Sequence, residues 1–160
     1  MPVYASPETM RDLERVFQFA FNTSNPVPYY LKPEPHIING PFKLGGTLIT
    51  PLPVPHGDSI VNGYLFSRAD QKLVAYLSDC SAVPEKIADQ ISGVKALVID
   101  ALRDKPHPTH LSVGQALEVA ARVKPEATYF THICHDLPQS AESRLPADVH
   151  IAYDGLKLRL

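Results

Sequence analysis

The chain has 160 residues, 44% of them hydrophobic, and a formal net charge of -2 from 15 basic and 17 acidic side chains spread without blocks. That length supports one domain with a real core, and the charge balance leaves no electrostatic footprint for duplex nucleic acid. No run approaches the roughly 20 apolar residues of a membrane span, and the opening Met1-Pro2-Val3-Tyr4 does not read as a signal peptide, so the expected compartment is the cytoplasm.

In chain order, Ser6-Pro7-Glu8 supplies an N-cap, a proline at the first helical position and an acid in the first turn. Met10, Leu13, Val16, Phe17 and Ala20 then recur at helical spacing until the polar and proline punctuation from Asn22 to Pro28, with an extended loop expected over 23–35. Strand-like runs rich in β-branched and aromatic residues follow at His36 to Ile38, Gly46 to Leu52, Ile60 to Phe66 and Lys72 to Leu77. Pro51 and Pro53 make the second of these irregular or edge-like. From Lys72 the rhythm becomes βαβ: a helix from Pro84 to Ile91, a strand from Lys95 to Ile99, a capping-box helix opened by Ser112 and Gln115 and running to Val123, and a strand from Ala127 to Phe130. This part of the sheet is expected to be parallel. The tail reads as a hairpin, Val149 to Tyr153 and Leu156 to Leu160 about an Asp154-Gly155 turn.

Three apolar runs end on, or just before, a potential metal ligand: His56, Asp79 and His132. In open α/β sheets ligands collect beyond the carboxyl ends of the strands, where Asp79, Asp100 and His132 all fall. A carboxylate leaving an apolar strand is costly unless a metal, a cation or hydrogen bonds stabilise its charge, although backbone N–H groups in the following turn would also serve. His56, between Pro55 and Gly57, taken alone is a loop histidine. His107 and His110 are spaced H-x-x-H, but Pro106 and Pro108 exclude the helix that would align both rings. His110 stands just before the Ser112-capped helix, whose free N–H groups favour an anion; it could contact phosphate or protonate a leaving group, or simply complete the turn. His132 and His135 form a second H-x-x-H with Asp136 adjacent, so that one ring could bind metal while the other contacts substrate. His36 and His150 lie inside strand patterns and are assigned packing or surface roles. Cys80 and Cys134 form no C-x-x-C pair, and Cys134 as a thiol nucleophile is disfavoured because alternation along a strand points it away from its neighbours' face. There is no glycine-rich phosphate loop, no G-x-S-x-G and no H-E-x-x-H.

The series Thr50 to Asp58, Leu77-Ser78-Asp79 through Pro84-Glu85-Lys86, Val98-Ile99-Asp100, Pro108 to Ser112, Thr131 to Asp136 and Tyr153-Asp154-Gly155, in this order and spacing, resembles the metallo-β-lactamase superfamily. Within it the chain is most similar to the phosphoribosyl cyclic phosphate phosphodiesterases. The resemblance implies an α/β fold, the αββα sandwich, and a two-metal hydrolase site for zinc or manganese. By the family's pattern His56 would bind one metal, Asp79 would bridge both, and His132 would bind the second. His110 would contact phosphate and act as general acid, Asp100 would stand behind the ligands, and His135 would face substrate. The implied substrate is a small phosphodiester, including cyclic phosphates, attacked by a metal-activated hydroxide.

The family's signature H-x-H-x-D-H has no counterpart, because the chain contains no H-x-H. The expectation is therefore a single domain over 1–160 that corresponds to the carboxyl-terminal portion of the family fold, incomplete at its N-terminus. Each metal would keep one terminal protein ligand and a shared bridge, whereas a catalytic zinc normally has three protein ligands. Two readings follow. In one, the chain is part of a phosphodiesterase whose remaining ligands come from an upstream segment or an oligomeric partner. In the other, it is a non-catalytic fragment or binding domain that retains the hydrolase fold.

Overall fold

The computed structural model describes residues 1–22, 24, 29 and 31–160. They form two compact units, Met1–Phe42 and Lys43–Leu160. Much of the loop expected over 23–35 lies outside the described residues.

In the first unit, strand β1 (Pro2–Ala5) pairs in parallel with β2 (Glu34–Ile37). Helix α1 (Pro7–Val16) begins as its sequence dictates, with Thr9 N–H donating to the Ser6 side chain at 3.2 Å. The helical pattern does not run through to Ala20. Phe17 leaves helical geometry at φ -110°, and a separate short turn α2 (Gln18–Phe21) follows. Of the apolar residues on α1 only Met10 is buried, so little packing holds the longer helix together. Tyr4 stacks between His36 and Phe42, with ring centroids 4.6 and 4.9 Å away.

A seven-stranded sheet dominates the second unit, in the order β3 (Phe42–Leu44), β4 (Thr47–His56), β5 (Ser59–Arg68), β6 (Gln71–Leu77), β7 (Ala96–Asp100), β8 (Ala127–Thr131) and β9 (Val149–Ile151). Pairing is antiparallel from β4 to β6 and parallel from β6 to β9, as the βαβ rhythm requires. Strand β4 extends four residues beyond Leu52 despite three prolines. The two-residue turn between His56 and Ser59 makes that pair, and every second pair behind it, hydrogen-bonded. Pro51, Pro53 and Pro55 therefore occupy the alternate positions, with ring nitrogens on the edge away from β5 where no ladder bond is lost. Gly63 of β5 is required by a close approach: a Cβ there would sit 2.8 Å from Tyr76 O and collide with the Leu77 side chain.

Helices α3 (Glu85–Ile91) and α4 (Val113–Val123) bury Ile87, Ile91, Ala116 and Val123 in one core with Leu52, Leu77, Leu97, Ile99 and Phe130 of the sheet. The capping box at Ser112 forms as expected, and Lys124 ends α4 in the left-handed conformation. The tail differs from the expected hairpin. Val149–Ile151 pairs in parallel with β8, and no strand forms over 156–160. The turn itself is present, with Leu156 N–H donating to Tyr153 O at 3.1 Å, but only Gly155 takes a positive φ. A two-residue hairpin of the Asp-Gly type needs positive φ at both positions; with one, the flanking segments splay. Among the described residues, no helix is long and apolar enough to cross a membrane.

Candidate metal centre

All the converging side chains stand at the carboxyl ends of strands or in the loops that follow. His56 is the last residue of β4, Asp79 lies two residues beyond β6, Asp100 closes β7, and His132 follows β8. His110 precedes the capped start of α4. Gly57 brings the β4–β5 turn against the loop between β7 and α4. At φ +57° it turns the chain so tightly that a Cβ would lie 2.9 Å from Thr109 Cγ2, one residue before His110. His132 itself sits at φ +59°, a strained conformation for a residue with a Cβ, and turns the chain sharply off the strand end.

His110 is the hub. Its ring centroid is 4.9 Å from His56, 4.9 Å from His107 and 4.8 Å from His132. His110 Nδ1 hydrogen-bonds Asp100 Oδ2 at 2.8 Å, which fixes the ring and leaves Nε2 for other work. Asp100 is completely buried, and its Oδ2 also accepts the Cys80 backbone N–H at 3.1 Å. Burial pushes the Asp100 carboxyl above its usual range, opposed by the Cys80 N–H and by His110. The Cys80 thiol is pushed up to about 12 by burial and then by the charges of Asp100 and Asp79, so it stays protonated at neutral pH and is not a thiolate nucleophile. His107, whose Nδ1 accepts from Thr109 N at 3.4 Å, titrates below its ordinary value through desolvation, then through the positive charges of His110 and Arg103.

The ligand atoms of His56, Asp79 and His110 all lie within 4.8 Å of one another. His56 Nε2 is 2.8 Å and His110 Nδ1 is 3.3 Å from Asp79 Oδ1. Yet that oxygen is buried and receives no aligned hydrogen bond. Two imidazoles thus crowd a carboxylate oxygen without pointing an N–H at it. A divalent cation beside the His56 ring and the Asp79 carboxylate would satisfy both groups while His110 Nδ1 stays bonded to Asp100, and the histidine and carboxylate donors suit such an ion. His135 is placed differently: its side chain is 94% exposed and pairs with Asp136 at 3.3 Å.

Two features of the site escape a reading of the sequence. Proline flanks make the His107/His110 spacing look unproductive, but the rings meet through loop folding rather than along a helix. The Asp100–His110 bond joins residues in separate elements. Its only trace is an acid at the end of an otherwise apolar strand, where burial demands a partner.

A family model described as "Beta-lactamase superfamily domain" matches residues 1–133. The chain is similar to a solved structure described as a new diphosphatase from the PhnP family, at 38% identity and a TM-score of 0.87, covering 99% of this chain and 57% of that one. Zn(2+)-bound PqqB from Methylobacterium extorquens shares the fold, with 20% identity, a TM-score of 0.76, and coverage of 100% of this chain and 65% of that one. A curated protein named octanoyltransferase, from Porphyromonas gingivalis, is 27% identical over 120 residues, which are 73% of this chain and 23% of that protein. The chain thus spans less than two thirds of each of these relatives.

Proposed function

This chain belongs to the beta-lactamase superfamily, and from that premise we propose that it carries part of the active site of a metal-dependent phosphodiesterase, with cyclic phosphates among its substrates. The carrying observation is the buried Asp79 oxygen held between His56 and His110 without an aligned hydrogen bond. The similarity to a PhnP-family diphosphatase supports phosphorus chemistry over other hydrolyses.

In this reading His56, Asp79 and His132 would hold the divalent ions, zinc or manganese. When bound, the ions would supply the charge that acidifies a water and polarises the phosphoryl oxygen. His110 acts on the phosphate. With Nδ1 tied to Asp100, its Nε2 is oriented to hydrogen-bond a phosphoryl oxygen or to give a proton to the leaving oxygen. Asp100 holds that tautomer and stabilises the imidazolium, and its burial keeps the hydrogen bond out of competition with water. His135, on the solvent side beside Asp136, meets the outer part of the substrate. The remaining ligands would come from residues outside these 160 or from a second copy, because three protein groups cannot complete two hydrolytic ions.

Metal content by mass spectrometry and hydrolysis of a cyclic phosphodiester test these roles together. The isolated chain is expected to bind less than two equivalents of metal and to turn over slowly. His56→Ala and Asp79→Asn should lower metal content. His110→Ala should leave metal content unchanged while costing about 10²–10⁴-fold in rate, the range of a lost general acid. Loss of metal in His110→Ala would make His110 a ligand rather than the acid. Two tightly held ions with rapid turnover in the isolated chain would refute the partial site.

A further inference from the structure

Besides His56 and His132, the half-buried ring of His107 packs against His110, with centroids 4.9 Å apart and an interplanar angle of 39°. Its loop is held from several sides. Pro106 and Pro108 fix their own φ and restrict the residue before each to extended backbone. Thr109 lies so close to the β4–β5 turn that a Cβ on Gly57 would stand 2.9 Å from its Cγ2. Thr109 also reaches back to His107: its backbone N–H donates to Nδ1 at 3.4 Å, and its Oγ1 lies 3.2 Å from the same nitrogen.

That contact decides the tautomer of the ring. A backbone N–H can only donate, so His107 Nδ1 is an acceptor and the single ring proton sits on Nε2. Among the described residues, Nε2 has no hydrogen-bond partner. His110, by contrast, is tied to another strand, with Nδ1 at 2.8 Å from Asp100 Oδ2. One imidazole is therefore fastened to its own loop and carries an unspent N–H, while the adjacent one is set up as the acid. A donor fixed in place before substrate arrives loses little entropy in binding an oxygen.

We propose that His107 is a further substrate-binding residue, whose neutral Nε2–H donates to a phosphoryl oxygen beside the oxygen served by His110. The two imidazoles divide the work: His107 holds an oxygen without giving up its proton, and His110 supplies the proton to the leaving oxygen. As a statement about substrate, the inference rests on the phosphodiesterase reading; as a statement about a fixed donor for an oxyanion, it is tested apart from it.

Two measurements on the full chain decide it. In the first, imidazole nitrogen and proton resonances are followed by nuclear magnetic resonance, with the His107 signals identified by their absence in His107→Gln. Nε2 should carry the proton, and its signal should shift saturably as inorganic phosphate is added. A proton on Nδ1, or an Nε2–H signal that phosphate leaves unmoved, overturns the proposal. The second compares two variants by calorimetry with uridine 2′,3′-cyclic phosphate in zinc-supplemented buffer. His107→Asn sets an oxygen near the place of Nδ1, keeping the bond from Thr109 N–H but losing the outer donor; His107→Gln sets an N–H near the place of Nε2 and gives up the Thr109 bond. His107→Gln should bind within about threefold of the native chain, and His107→Asn about tenfold to a hundredfold more weakly, the range for one hydrogen bond to a charged group. Thermal melts should rank them the other way, with His107→Asn the more native-like. Affinity in His107→Asn equal to or above that in His107→Gln overturns the proposal, because the ring then only braces the Thr109 turn. If phosphate moves the His107 signal while the native chain does not bind the nucleotide, the donor stands and the phosphodiesterase reading falls.

Discussion

A methyl group on Gly57 would meet Thr109 Cγ2 at 2.9 Å, on backbone already held at φ +57°. Gly57→Ala is therefore expected to cost about 1–2 kcal/mol from the left-handed conformation alone, with a further cost for moving Thr109. Because Gly57 directly follows His56, the displacement should also shift the His56 ring relative to Asp79 and weaken metal uptake. Thermal melts and metal titration of Gly57→Ala, alone and combined with Thr109→Ser, separate the two effects. The double variant should recover metal uptake but not the conformational part of the stability. At this scale the sequence marks side chains that the fold gathers at one end of the sheet, since His56, Asp79 and His132 each end an apolar run. It conceals partners: nothing local to Asp100 names His110, and nothing local to Gly57 names Thr109.

The carboxyl-terminal elements are tied by Glu142, in the 3-10 turn Gln139–Arg144. Its Oε2 accepts the Ile151 N–H of β9 at 3.0 Å, and its Oε1 lies 3.3 Å from His150 Nδ1. The Ile151 N–H, followed by the His150 contact, holds the Glu142 carboxyl below its ordinary value of 4.5. A carboxyl with a lowered pKa in the folded state contributes stability that is fully present above its ordinary value and fades as pH falls through the folded one. Hydrogen exchange at the Ile151 amide, corrected for its intrinsic pH dependence, should lose protection below about pH 4.5 in the native chain. In Glu142→Gln it should be less protected at neutral pH and lack that acid step. An Ile151 amide equally protected in both proteins would remove Glu142 from this role. Elements were legible where burial dictates composition: β7 and β8 read as apolar runs, and α4 as a capping box. The tail was not, because an Asp-Gly pair permits several turns and the neighbouring β8 decides which forms.

For the molecule as a whole, the face of the sheet opposite α3 and α4 matters most. The pairing register sets Pro51, Tyr64, Tyr76, Val98, Tyr129 and His150 in one row across six strands. Alternation places these side chains opposite the core residues Leu52, Leu77, Ile99 and Phe130, and Tyr76 remains 41% exposed. An aromatic row of this kind favours association. Sedimentation of the isolated chain should reveal concentration-dependent self-association. Tyr76→Lys should weaken it by about an order of magnitude, as expected from withdrawing part of an aromatic ring's area and adding a charge. A monomer at every concentration would show that this face is content in water. Fold class was legible because motif order and sheet periodicity survive in the sequence, whereas the degree of cover on this face depends on distant chain that local pattern cannot report.

The three prolines of β4 leave its outer edge with carbonyl oxygens but no hydrogen donors from 51 to 55, and Ser81 N–H already occupies the Pro55 oxygen at 2.8 Å. A strand arriving there could offer its own N–H groups but would find none returned, so it could not zip into register. Growth of this sheet edge to edge, the usual route to fibrils, is closed along that stretch by composition alone. The rim beside the aromatic row is thus no template for polymerisation, whatever the face of the sheet does.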